Sequence, residues 1–180
     1  LRSNNAGLGY WTHEHLTDYL KTGKNSLVET FGPMNEVIME STRHLDIEDV
    51  EAMATYLKSL PPVEESSRAV AGNLTMGRGR TVYNLHCGTC HLPTGLGDNE
   101  MAPRLAGGSL VVLAENPASL INVILYGPER SELPNNWYDE MVEFQYLLDD
   151  DEIAAVATFV RQSWENPGGI VTAEDVARQR

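Results

Sequence analysis

Residues 87 to 91 read Cys87-Gly88-Thr89-Cys90-His91, or CGTCH. Two thiols and an imidazole stand within one turn of chain. They are also the only two cysteines in 180 residues. A disulfide framework is therefore excluded, because both thiols belong to one motif. A closed zinc site needs four ligands. The motif supplies three, and His86 is the only nearby fourth. A thioredoxin-like use of the pair would require a βαβ setting, and no strand-rich segment precedes Cys87.

Composition narrows the reading further. With 42% hydrophobic residues the chain can build a core, and its length suits one domain or two small ones. A formal net charge of −13 argues against a nucleic-acid partner, whose phosphates it would repel. Lys21, Lys24 and Lys58 are the only lysines, so every cation after Pro62 is an arginine. No apolar run approaches the ~20 residues that cross a bilayer. The opening LRSNNAGLGY shows no signal-peptide pattern. It reads as the interior of something longer, and a processed product or fragment is expected.

Outward from the motif, the pattern is helical. Residues 12–21 (THEHLTDYLK) place Leu16, Tyr19 and Leu20 on one face, and Gly23 follows as a stop. A Gly/Pro loop, FGPMNE, is expected at 31–36. A helix over 46–60 repeats Ile47, Val50, Met53/Ala54 and Leu57, with Asp46 as cap and Asp49 completing a box-like pattern. Pro61-Pro62 ends it, and PPVEESS reads as a linker. A helix then runs from Ala69 or Thr75 to His86. A Gly/Pro-rich loop spans 92–108, a helix 116–125 carries Pro117 in its first turn, and a long loop covers 128–147. A last long helix occupies 149–164, its acidic start favoured by the helix dipole. Asn166-Pro167-Gly168-Gly169 stops it, and 172–178 can add a turn or two.

The two halves partly repeat. HLTDYLKTG resembles SLINVILYG, and VEAMATYLKSL resembles IAAVATFVRQSW. The chain thus divides into 1–60, a linker at 61–68, a unit at 69–166 and a tail at 167–180. The first unit looks like the rear of the second without its front.

Cys-x-x-Cys-His is the attachment motif of c-type haem. Two thioether bonds tether the porphyrin's vinyl positions, and the adjacent imidazole reaches the iron. Gly79, Tyr83 and Cys87 lie four and four apart on one helix face. Gly79 has no side chain, so another helix can come close, and Phe159 is its natural aromatic neighbour. In the stretch Pro103-Arg104-Leu105-Ala106-Gly107, a carbonyl can accept the second ring N–H of His91 and fix its orientation.

On these residues the chain resembles the class I cytochrome c family, over roughly 70–165. YLKTGKN, FGPMNEV, YLKSLPP, FVRQSWEN and VTAEDVARQR extend the resemblance to the multihaem cytochrome c subunits of membrane-bound bacterial dehydrogenases. It implies an all-α fold, a class I cytochrome c fold preceded by a partial, rear-half cytochrome c domain. It implies one covalent haem c on Cys87 and Cys90, with the Pro103 carbonyl on His91 and Leu105 against the porphyrin. The family's axial methionine falls at Met141, in the loop before the last helix. Met101 belongs to the loop on the His91 side. The usual Met-Pro pair is here Met141-Val142. Met34, in FGPMNEV, takes the matching place in the first unit. It would ligate the iron of a second haem attached outside this chain.

His13, His15, His44 and His86 are read as surface residues. Arg104, Arg130, Trp137 and Tyr138 are candidates to meet the haem propionates, and Asp139, Glu140 and Glu143 give the rim near Met141 an acidic cast. His/Met ligation raises the potential and leaves no open iron position. The reading is therefore an electron carrier and not an enzyme, serving a dehydrogenase and passing electrons to a quinone or oxidase. The resemblance implies a bacterial, periplasmic location, with any membrane association made through partners. The alternative is a haem enzyme with an open site for small molecules.

Overall fold

A computed structural model describes residues 8–61, 68–98, 101–107, 109–129 and 141–180. Among them the architecture is helical, with two isolated bridges, Lys24–Glu29 and Asp98–Ala102, in place of any sheet. The second unit is built on a crossing of α4 (Asn73–His86) and α8 (Asp150–Gln162). Residues Ile153 to Arg161 of α8 are buried without a break. A helix apolar on every side belongs at the centre of a domain. Here α4, α6 (Leu110–Leu113), α7 (Ala118–Tyr126) and α9 (Ala173–Ala177) surround it.

The crossing depends on Gly79. A Cβ there would lie 2.2 Å from the Ala155 carbonyl oxygen and 2.6 Å from Phe159 Cβ. The hydrogen of glycine lets the two backbones meet. Tyr83, one turn on, brings its ring centroid within 5.4 Å of Phe159 and 5.2 Å of Trp164. The start of α8 is fixed by a capping box: Asp149 accepts from the Glu152 N–H, and Glu152 accepts from the Asp149 N–H.

The first unit sets α1 (His13–Thr22) against α3 (Ile47–Ser59) over Leu8, Trp11, Leu16, Leu27 and Ala54. Its cap is also a box, with the His15 ring in the place usually held by a glutamate (Thr12 N–H to Nδ1, 3.2 Å). His15 is accordingly half-buried, whereas His13 and His44 are exposed as expected.

Several expectations need correction. The loop expected at 31–36 gives way to α2 (Pro33–Glu40). Gly32-Pro33 reads as a turn, but proline at the first helical position is also a helix start. Asp46 precedes α3 without any side-chain cap bond. Pro117 lies just before α7. The last long helix stops at Gln162, and Trp164 and Glu165 turn away with positive φ. The tail at 167–180 folds back: Val171 and Val176 are buried in the core shared with α8. Thr158 Oγ1 donates to the Val171 carbonyl at 3.2 Å and accepts from its N–H at 2.9 Å. Of the linker expected at 61–68, residues 62–67 lie outside the described residues.

The two units touch. Leu110 packs against the first unit's core. The Gly32 N–H and the Asn35 amide both donate to the Glu129 carbonyl, at 3.4 and 3.1 Å.

Candidate functional site

The end of α4 delivers the motif. Cys87 closes that helix, its N–H donating to the Tyr83 carbonyl at 2.8 Å, and Gly88–His91 forms the short α5. The His91 side chain is buried. Its Nδ1 stands 2.9 Å from the Pro103 carbonyl oxygen, a contact that places the proton on Nδ1 and leaves Nε2 as the lone-pair donor. Burial lowers the His91 pKa, and the Pro103 bond partly offsets this. Burial, helped by Cys90, pushes the Cys87 thiol up to about 12.

The loop carrying Pro103 is tightly closed. Leu105 and Ala106 donate to the Gly95 carbonyl at 2.7 and 2.9 Å, and Gly97 donates to the His91 carbonyl at 3.0 Å. Gly97 has φ +61°, and a Cβ on it would stand 2.2 Å from the Ala102 carbonyl oxygen, so the turn admits only glycine. Asn166 clamps this loop to the end of α8. Its amide donates to the Leu105 and Val160 carbonyls at 2.9 and 2.8 Å, and its oxygen accepts from Gly107 at 2.8 Å. The Tyr83 hydroxyl donates to the Leu92 carbonyl at 2.6 Å, just past His91.

Cys87, Cys90, His91, Pro103, Leu105 and Met141 all line one cavity of about 270 Å³. Met101 and Arg104 share it, so both methionines after the motif face the same space. The wall is completed by aliphatic residues of α6, α7 and α8, including Val112, Leu120, Ile124, Val156 and Val160. Met34 stands on α2, outside this cavity. His86, expected at the surface, is half-buried. It lines the cavity with its ring centroid 6.0 Å from that of Phe144. Arg130, Trp137, Tyr138, Asp139 and Glu140 lie outside the described residues; Glu143 is exposed. Of the propionate candidates, Arg104 is thus the one seen at the cavity, its Nε donating to the Ala106 carbonyl at 2.8 Å.

The donor set suits a porphyrin. Two thiols and one imidazole face an apolar space, and among the described residues no three His, Cys, Asp or Glu side chains converge as ligands of a bare metal ion would. An oriented imidazole, two tethering thiols, aliphatic walls and a guanidinium are what a flat macrocycle with acidic edges requires.

These features define a helical domain for covalently bound haem. The family model for cytochrome c matches residues 76–164, and this part of the chain belongs to the cytochrome c family, with haem c as its cofactor. The chain as a whole is similar to the cytochrome c subunit of a quinone alcohol dehydrogenase from Gluconacetobacter polyoxogenes, at 37% identity over 97% of this chain and 40% of that protein. It is 34% identical to the gluconate 2-dehydrogenase cytochrome c subunit of Pantoea cypripedii, over 98% of this chain and 43% of that one. The fructose dehydrogenase cytochrome subunit of Gluconobacter japonicus is 31% identical over 97% of this chain and 41% of its own length. The chain therefore spans about two fifths of these relatives. Among the described residues no helix is long and apolar enough to cross a membrane.

Proposed function

We propose that the chain carries electrons through one haem c tethered to Cys87 and Cys90, with His91 and Met141 as axial ligands. It would do so within a multihaem cytochrome subunit that takes electrons from a periplasmic dehydrogenase and hands them to a quinone or oxidase. The observation that carries this is the buried His91 ring, held 2.9 Å from the Pro103 carbonyl in a cavity that also exposes both thiols and Met141.

Haem c supplies one-electron chemistry between ferric and ferrous iron. The chain's own residues set the conditions. The Pro103 carbonyl holds the His91 proton at Nδ1 and makes Nε2 a stronger donor. The aliphatic walls exclude water and so favour the less charged state. Leu105 contributes to that wall, and Arg104 brings the positive charge that a propionate would meet.

The proposal extends to the domain plan. Residues 1–60 form the rear half of a cytochrome c domain, 61–68 the linker, and the second unit runs from 69 through the folded-back tail. Met34 would then serve the iron of a second haem attached elsewhere. Location in the bacterial periplasm and membrane association through partners belong to the same reading.

A pyridine haemochrome assay should return one covalent haem per chain, and two would contradict the site. Ferrous protein should bind carbon monoxide slowly. Met141→Ala should open a binding position and lower the midpoint potential, since a thioether favours ferrous iron. If Met101→Ala does this and Met141→Ala does not, the axial assignment moves to Met101. Rapid carbon monoxide binding by the unaltered chain would favour a small-molecule site.

A further inference from the structure

Four residues of the haem cavity come from the other unit. Val28, Glu29, Thr30 and Phe31 line the same space as His91 and Met141. They sit on a loop that is firmly built. Asn25 accepts from the Leu27 and Val28 N–H groups at 2.8 and 3.0 Å, while its amide donates to the His15 carbonyl at 2.8 Å. Thr30 N–H donates to the Gly23 carbonyl at 2.7 Å, and the backbones of Lys24 and Glu29 pair in an isolated antiparallel bridge. Leu27 is buried in the first unit's core, where Leu110 of the second also packs. Past the loop, Gly32 and Asn35 bind the Glu129 carbonyl at the cavity's rim. The loop is thus anchored on its own unit and pinned to the other.

We propose that Val28–Phe31 is a haem-facing wall borrowed from the first unit, and that it sets the midpoint potential of the haem bound through Cys87 and Cys90. Val28 and Phe31 act by keeping water from the macrocycle, which disfavours the more charged ferric state. Glu29 acts in the opposite sense. Its negative charge, at the cavity wall, favours ferric iron. The inference rests on haem occupying this cavity.

The two effects have opposite signs, and the test uses both. In the intact holoprotein, Phe31→Ser should lower the midpoint potential and Glu29→Gln should raise it. Phe31→Leu, which keeps apolar bulk, should stay near the unaltered value. Tyr56→Ala, on the exposed face of α3, is the control and should not move it. Far-UV circular dichroism and the Soret band report whether each variant is folded and loaded. If Phe31→Ser does not fold, Val28→Thr, a smaller loss of the same apolar wall, should lower the potential in its place. Potentials of Glu29→Gln and of Phe31→Ser (or Val28→Thr in its place) that match Tyr56→Ala would overturn the inference. Lack of a Soret band in the unaltered chain would instead overturn the haem reading itself.

Discussion

Two glycines of α4, two positions apart, should respond to the same substitution with opposite signs. Gly79→Ala adds a methyl that meets the Ala155 carbonyl oxygen at 2.2 Å, its carbon at 2.8 Å and Phe159 Cβ at 2.6 Å. Backbone atoms cannot rotate aside, so α4 and α8 must part by roughly an ångström to reach ordinary contact. Overpacking of this kind costs about 3–4 kcal/mol, at or above the usual range because the clash is with backbone. Replacing glycine by alanine inside a helix returns ~1 kcal/mol. The net loss is about 2–3 kcal/mol, or a fall in Tm of about 4–12 °C for a chain of this size. Gly77 is exposed on the same helix, and a Cβ there meets nothing within 4 Å. Gly77→Ala should therefore stabilise by about 0.5–1 kcal/mol.

The assay is thermal and urea unfolding of the holoprotein, followed at 222 nm and at the Soret band. Gly79→Ala should also disturb the Soret band before unfolding, because the crossing it opens also carries Phe159 and Tyr83. Equal Tm values for the two variants would refute the close approach of α4 and α8. So would a Gly77→Ala variant as unstable as Gly79→Ala.

Arg161 is almost fully buried, and its guanidinium donates to the carbonyls of Gly169, Val112 and Ala114 at 2.9, 2.9 and 2.8 Å. Arg161→Ala leaves these oxygens without a charged donor, and a loss of about 3–5 kcal/mol in urea unfolding is expected. Tyr83→Phe removes the single bond to the Leu92 carbonyl, so a loss of about 1 kcal/mol with the haem spectrum largely kept is expected in the same assay. Asp175 has its pKa lowered from 3.8, first by the Thr172 backbone N–H it accepts from. A depressed carboxylate adds stability above its unfolded pKa and loses it as pH falls through the lower folded value. Unfolding free energy should thus drop below about pH 4, and Asp175→Asn should flatten that drop while costing about 1 kcal/mol at neutral pH.

The parts of the site legible in the sequence are those fixed by short-range spacing. Gly79, Tyr83 and Cys87 share a face because four-residue steps return to one side of a helix, and Phe159 meets them where α8 crosses. The Pro103 carbonyl also lies close in sequence to the ring it orients. Other features depend on what the chain meets far away. Gly32-Pro33 is ambiguous locally, and α2 forms there. A histidine at the third position of α1 gives no usual capping signal, yet its ring nitrogen accepts as a glutamate would. His86 directly precedes Cys87 and gives no local sign of burial, yet its ring meets that of Phe144 and lines the cavity. Arg161 reads as an ordinary basic residue near a helix C-terminus, and the carbonyls it meets come from two separate segments, at 112–114 and at Gly169. Nothing local marks Val28–Phe31, since their role arises from contact between units.

The two parts of the cavity wall consequently differ in what they depend on. The part around His91 is held by Tyr83, Pro103, Leu105 and Gly107 and by Asn166, all within one unit. Covalent attachment and imidazole orientation therefore require only the second unit's own fold. The part made by Val28–Phe31 exists only while Gly32 and Asn35 hold Glu129 and Leu110 keeps its place in the other core. Among the described residues this contact, through the Glu129 carbonyl and Leu110, is modest beside the α4–α8 core, so it is the weaker link. Disturbing it should leave the haem attached to a well-oriented His91 while changing how much water reaches the macrocycle. That separates the building of the site around His91 from the tuning of its potential, and puts the tuning at the boundary between the two units.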